Sequence, residues 1–194
     1  VLPADPLVVH LSVTDAVREY VSYDPAGTTA GSSEWEDWER NNRLQIPVIN
    51  LNGGGVPFDD ETIVEFRPDT RLPSGARILK AVLVVPAIWR GGANRSDGFC
   101  ATLHEWRPAS TSPGLSVLSS GTRGDPLPDL CVSEREFGEL FRIDVTDHVQ
   151  AQWQRGAPVD FLFEAHAGAP NGGLYLDLEP IVSDEYVRLE IQYE

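Results

Sequence analysis

Alternation of apolar and polar residues at a period of two, repeated along most of the chain, constrains the fold more than any other feature. Such a period gives an extended strand one apolar and one polar face, whereas a helix needs apolar residues three and four apart. Leu7, Val9, Leu11 and Val13 share one face of the first run, and Val17, Val21 and Tyr23 share one face of the second. Further runs cover 44–51 (weakened by Pro47), 62–67, 77–85, 99–106, 140–145, 159–166, 173–178 and 186–193. The last is the cleanest, with Val187, Leu189, Ile191 and Tyr193 directed inward and Arg188, Glu190 and Gln192 outward. In 77–85 both faces are largely apolar, as expected of a central strand covered on both sides.

Turn signals separate the runs, among them Asp24-Pro25-Ala26-Gly27, Gly53-Gly54-Gly55 and Leu72-Pro73-Ser74-Gly75. Residues 24–43 read as irregular, and 107–139 as a long turn-rich excursion pinned at Cys131. Only one segment reads as helix: Thr146 or Asp147 supplies an N-cap, Val149 and Trp153 lie four apart, and Gly156 closes the end. The expected fold is therefore all-β, a two-sheet antiparallel β-sandwich of jelly-roll-like type with one short helix near residues 147–154. No linker divides the chain, so residues 1–194 are read as a single domain.

Charge narrows the partners. With 15 Lys+Arg against 30 Asp+Glu the net charge is -15. Such a surface repels phosphate backbones and anionic headgroups, which argues against nucleic acid and membrane surfaces. No apolar run approaches the length of a membrane helix, the longest being 81–88, so membrane insertion is not expected. Carboxylate-rich surfaces suit hard cations, and calcium is the candidate cofactor, with Asp59 and Asp60 after the glycine bend as ligands. A solvated turn is the competing reading of that pair. The chain holds no Met and opens at Val1, which fits a product whose signal peptide has gone and fits a trimmed chain equally. Abundant Arg, Ala, Gly and Pro with one Lys suggest a GC-rich bacterial genome.

Cys100 and Cys131 flank the turn-rich excursion. A disulfide between them would remove about 3–4 kcal/mol of unfolded-state entropy; two buried free thiols are the alternative. Neither zinc nor redox spacing is present.

Five Trp residues bear on binding. Sugar sites favour exposed aromatic rings, which stack on the C–H face of a pyranose while carboxylates, amides and guanidinium groups bond its hydroxyls. The segment 34–43 supplies all of these, with Trp35 and Trp38 three apart on one side of a helical turn and Arg40 and Arg43 beside them. Trp89, at the end of the central strand, is a further candidate carbohydrate contact. For Trp35 and Trp38 the alternative is packing of a short amphipathic helix, and for Trp89 packing at the rim.

Three stretches carry a family resemblance. They are Glu61-Thr62-Ile63-Val64-Glu65-Phe66-Arg67 leading through Leu72-Pro73-Ser74-Gly75-Ala76 into the strand 78–85; Phe141-Arg142-Ile143-Asp144-Val145-Thr146-Asp147-His148-Val149 followed by Trp153-Gln154-Arg155-Gly156; and Ser183-Asp184-Glu185 before Arg188-Leu189-Glu190-Ile191-Gln192-Tyr193. In this order they resemble the DNRLRE-type, disaggregatase-related β-sandwich domain, a group partly classed among carbohydrate-binding modules. The chain departs from that pattern in the middle, where only Glu105-Trp106 and Thr111 remain, and in lacking the proline after Ser183-Asp184-Glu185. The resemblance implies a non-catalytic, secreted or cell-surface domain of a larger protein. Its expected partners are polysaccharide or cell-surface glycan and neighbouring domains. Within the blocks, Asp144 and Thr146 read as helix caps, and Val149 and Trp153 as a plug for one end of the sandwich.

No H-E-x-x-H, nucleophile elbow, phosphate loop or dinucleotide fingerprint occurs, so no enzymatic activity is expected. An enzyme would require two carboxylates facing each other across a cleft, as in a glycosidase. The other non-catalytic reading is a structural or adhesive domain that assembles with protein, itself included.

Overall fold

The computed structural model describes residues 6–24, 27–34, 45–50, 58–67, 71–73, 75–90, 99–108, 121–132, 138–165, 172–178 and 185–194. They form thirteen strands and one helix, and every strand pairing is antiparallel. The first sheet runs β1 (Leu7–Ser12), β13 (Arg188–Tyr193), β6 (Ile78–Arg90), β10 (Gly138–Asp144). In the second, β3 (Gly27–Glu34), β2 (Asp15–Asp24), β5 (Phe58–Phe66), β11 (Val159–Ala165) and β7 (Phe99–Pro108) follow in order. The short strands β8 (Gly121–Pro126) and β9 (Leu130–Val132) both pair with β7. Along one side β12 (Gly172–Asp177) pairs with β6, β4 (Gln45–Asn50) pairs with β12, and β4 touches β5 at Asn50–Asp59.

The alternation seen in the sequence is what packs these sheets. Val9 and Leu11 of β1, Leu189 and Ile191 of β13, and Ala81, Leu83 and Val85 of β6 share one buried cluster with Val64 and Phe66 of β5, Phe161 and Phe163 of β11, and Leu103 of β7. Phe66 and Phe161 meet edge to face, with centroids 6.1 Å apart. The expected all-β sandwich with one short helix is the fold observed. Val84, on the opposite face of β6 from Leu83, is also fully buried, as a central strand requires. Arg142 and Arg188 on the neighbouring strands both pair with Glu190 there.

Helix α1 (Thr146–Trp153) closes one end of the sandwich, packed between β6 and β11. Its start differs from expectation. Val145 occupies the N-cap position without a side-chain cap bond, because the chain enters directly from β10. Asp144 does accept from the first helical amide, that of Thr146, at 3.1 Å, and from the Thr146 hydroxyl at 2.6 Å, whereas the Thr146 oxygen accepts from the Ala81 amide at 3.0 Å rather than from the helix. Gly156, at a φ of 68°, ends the turn that follows, as its position suggested.

Two segments read as irregular contain strands. β3 lies in 24–43, and β8 and β9 lie in 107–139. Among the described residues β3 (GTTAGSSE) pairs only with β2 and β8 (GTRGDP) only with β7, and β8 has no buried residue, so ladder hydrogen bonds rather than an apolar face hold it. Strands without a buried stripe leave no period-two signal.

Candidate functional site

A cleft of about 620 Å³ opens where α1 meets the turn before β6. Leu72, Pro73 and Arg77 form one wall, and Gln150 and Trp153 of α1 with Gln154 just after it form the other. The turn is held locally by the Ala76 amide, which donates to the Pro73 carbonyl at 3.0 Å, and by Gly75 at a φ of 86°, where an L side chain would be strained. Arg77 then pairs backbone to backbone with Glu194 in both directions, and its Nε donates to the Glu194 carboxylate at 2.8 Å. Gln150 donates to the Ile78 carbonyl at 2.8 Å, which fixes its amide and leaves its oxygen to accept. Trp153 is half-buried against the main core, and its Nε1 is buried without a hydrogen-bond partner among the described residues. The cleft therefore offers an aromatic wall, two amides and a guanidinium, with no carboxylate among its described lining residues.

A second cleft, of about 500 Å³, lies at the other end of α1 and contains Glu105, Asp144, Asp147 and His148. The buried His148 ring stands between two acceptors, with Nδ1 3.1 Å from the Glu105 carboxylate and Nε2 3.3 Å from the Asp160 carbonyl. Burial pushes the imidazole below its usual pKa against the opposing pull of Glu105. Arg107 also holds Glu105, at 3.2 Å, and the Thr146 hydroxyl and amide hold Asp144 below the usual carboxylate range. Glu105 and Asp144 are thus committed to tying α1 to the sheets.

The outer face of the second sheet carries cross-strand rows of charge. Asp15, Glu65, Asp160 and Trp106 stand in register on β2, β5, β11 and β7. Four residues away along β5, Glu61 is opposite Glu164. Ile63, Leu162 and Trp106 form a small buried cluster there. Arg123 of β8 donates to both Glu61, at 2.6 Å, and Glu164, and His104 lies 3.3 Å from Glu164. Burial, helped by hydrogen bonding to Glu61, raises the Glu164 pKa to about 7. Burial and then Arg123 lower that of His104.

None of the residues singled out from sequence as binding candidates is among the described lining residues of the first cleft. Trp35, Trp38, Arg40 and Arg43 lie outside the described residues. Trp89 sits on β6 in register with Leu174. Asp59 and Asp60 lie within β5. Among the described residues no group of three or more His, Cys, Asp or Glu could hold a metal ion. Cys100 and Cys131 form a disulfide, directly opposed in the β7–β9 register. Sequence reading treated Trp153 as a plug and passed over Arg77, Gln150 and Gln154. The turn and helix blocks were visible separately, but only the fold brings them together. No protein-family model matches the chain, and no curated protein matches it significantly.

Proposed function

We propose that this chain is a non-catalytic β-sandwich domain of a secreted or cell-surface protein that recognises polysaccharide through the cleft between α1 and the turn before β6. The half-buried Trp153 beside Gln150, Gln154 and Arg77 carries this reading: a ring for the C–H face of a sugar, with amides and a guanidinium for its hydroxyls. The block order around the same turn and helix, which resembles DNRLRE-type domains, supports it. The Cys100–Cys131 disulfide is compatible with an oxidising compartment, and no helix of the described residues is long and apolar enough to cross a membrane.

Affinity-gel retardation against a panel of neutral and acidic polysaccharides tests the proposal. One or more should retard the protein, and Trp153→Phe and Gln154→Ala should each weaken that interaction about tenfold while leaving the circular dichroism spectrum unchanged; losing a contact worth about 1.4 kcal/mol is a factor of ten. A folded protein that no polysaccharide retards would overturn it.

One observation favours assembly as a second reading. β1 pairs only with β13 among the described residues, and Leu7 and Val8 on it are 59% and 55% exposed. An uncharged edge strand with exposed aliphatic residues is a template for pairing with another strand.

A further inference from the structure

We propose that Asp160 is a proton lock in the outer face of the second sheet: its carboxyl is held in the fold protonated, and rising pH that strips the proton loosens the β5–β11–β7 region. This inference rests on the sheet itself and stands apart from the sugar-binding reading.

The geometry leaves Asp160 little choice. It is 1% exposed, and neither carboxyl oxygen has a hydrogen-bond partner among the described residues. An ionised carboxylate so placed would forfeit its hydration with no donor in exchange, a heavy cost that a neutral carboxyl largely avoids. The surrounding groups reinforce the point. On β5, Glu65 stands in register beside it and is itself nearly buried, and beyond it on β2 lies Asp15. Arg67, the nearby guanidinium, is engaged with Glu65 at 2.6 Å. On β7 the in-register partner is Trp106, whose Nε1 donates to nothing among the described residues. From α1, His148 faces the Asp160 backbone carbonyl rather than its carboxyl. Further along β11, Glu164 faces Glu61, Arg123 and His104.

Burial, and then the repulsion of Glu65, raise the Asp160 pKa to about 8, against the opposing attraction of Arg67. An unfolded-chain aspartate titrates near 3.9. Between those values the folded chain holds a proton that the unfolded chain releases, so stability falls as pH rises. The contribution is fully present below the unfolded value and lost by the time the pH has passed through the folded one.

Chemical denaturation of the wild-type chain and of Asp160→Asn, from about pH 5 to about pH 8, tests this. The wild type should lose up to about tenfold in its folding equilibrium constant per pH unit relative to the variant, because one fewer proton is released on unfolding the amide form. Parallel pH profiles would overturn the proposal. Should the variant not fold, carbon NMR of the Asp160 carboxyl in the wild-type chain decides the matter: a midpoint near 8 supports the lock, and a midpoint in the ordinary aspartate range sinks it.

Discussion

Gly121 begins β8, against the indole of Trp106. A β-carbon there would lie 2.8 Å from the ring's Cη2 and nearer still to the adjacent ring atoms. Trp106 cannot easily yield, because it is 3% exposed and clustered with Ile63 and Leu162. Gly121→Ala is therefore expected to destabilise the fold by about 3 kcal/mol, the upper end for overpacking a closed site. Urea denaturation with an unchanged m-value reads that loss directly. The need for glycine here was not legible in the sequence, where Gly121 was one turn signal among several. What demands it is the approach of two strands, which no local pattern records. At Gly75 and Gly156 the case is different: both hold a positive φ in a turn or helix end that sequence reading had already marked.

Among the elements, β9 shows how a short strand can have a large role. It has three residues, yet Leu130 and Val132 are fully buried in the main core, and the strand lies against β6 and β10 as well as β7. Three residues of ladder bonding are a weak hold on a segment that helps seal one side of the sandwich. The disulfide to Cys100 adds a covalent one. Replacing both cysteines by alanine is expected to cost about 3–4 kcal/mol. Thermal or urea denaturation measures the loss, and amide exchange should accelerate first at 130–132. Unchanged stability would mean that the core contacts of Leu130 and Val132 alone hold the strand. Sequence could name the disulfide as one of two options for the cysteines; it could not see that the bond staples a strand, because β9 is too short to show a period.

For the molecule as a whole, the net charge of -15 opposes association of like copies, whereas the β1 edge favours it. The two effects respond differently to salt. Raising ionic strength from about 0.01 M to about 0.15 M shortens the Debye length from about 30 Å to about 8 Å and screens the repulsion, while backbone pairing at an edge is little affected. If β1 is an assembly edge, sedimentation velocity should show dimer increasing with salt and with concentration, and Val8→Lys should abolish it. A strict monomer under every condition would remove the assembly reading and leave the edge as a tolerated exposure.

The sequence by itself determined the fold class, the central place of β6, the inward set of β13 and the position of the helix. Each is written in a local periodicity or turn residue, because burying one face of a strand or helix demands a fixed spacing of apolar side chains. Only the tertiary structure decided what the polar residues do. Trp153 meets Arg77 across a cleft, and Asp160 stands between Glu65 and Trp106, because strand register and the seat of α1 place them there. Register depends on which strands pair, a relation between segments far apart in the chain. The same alternation that revealed strands so clearly is indifferent to their order, and so the site had to wait for the fold.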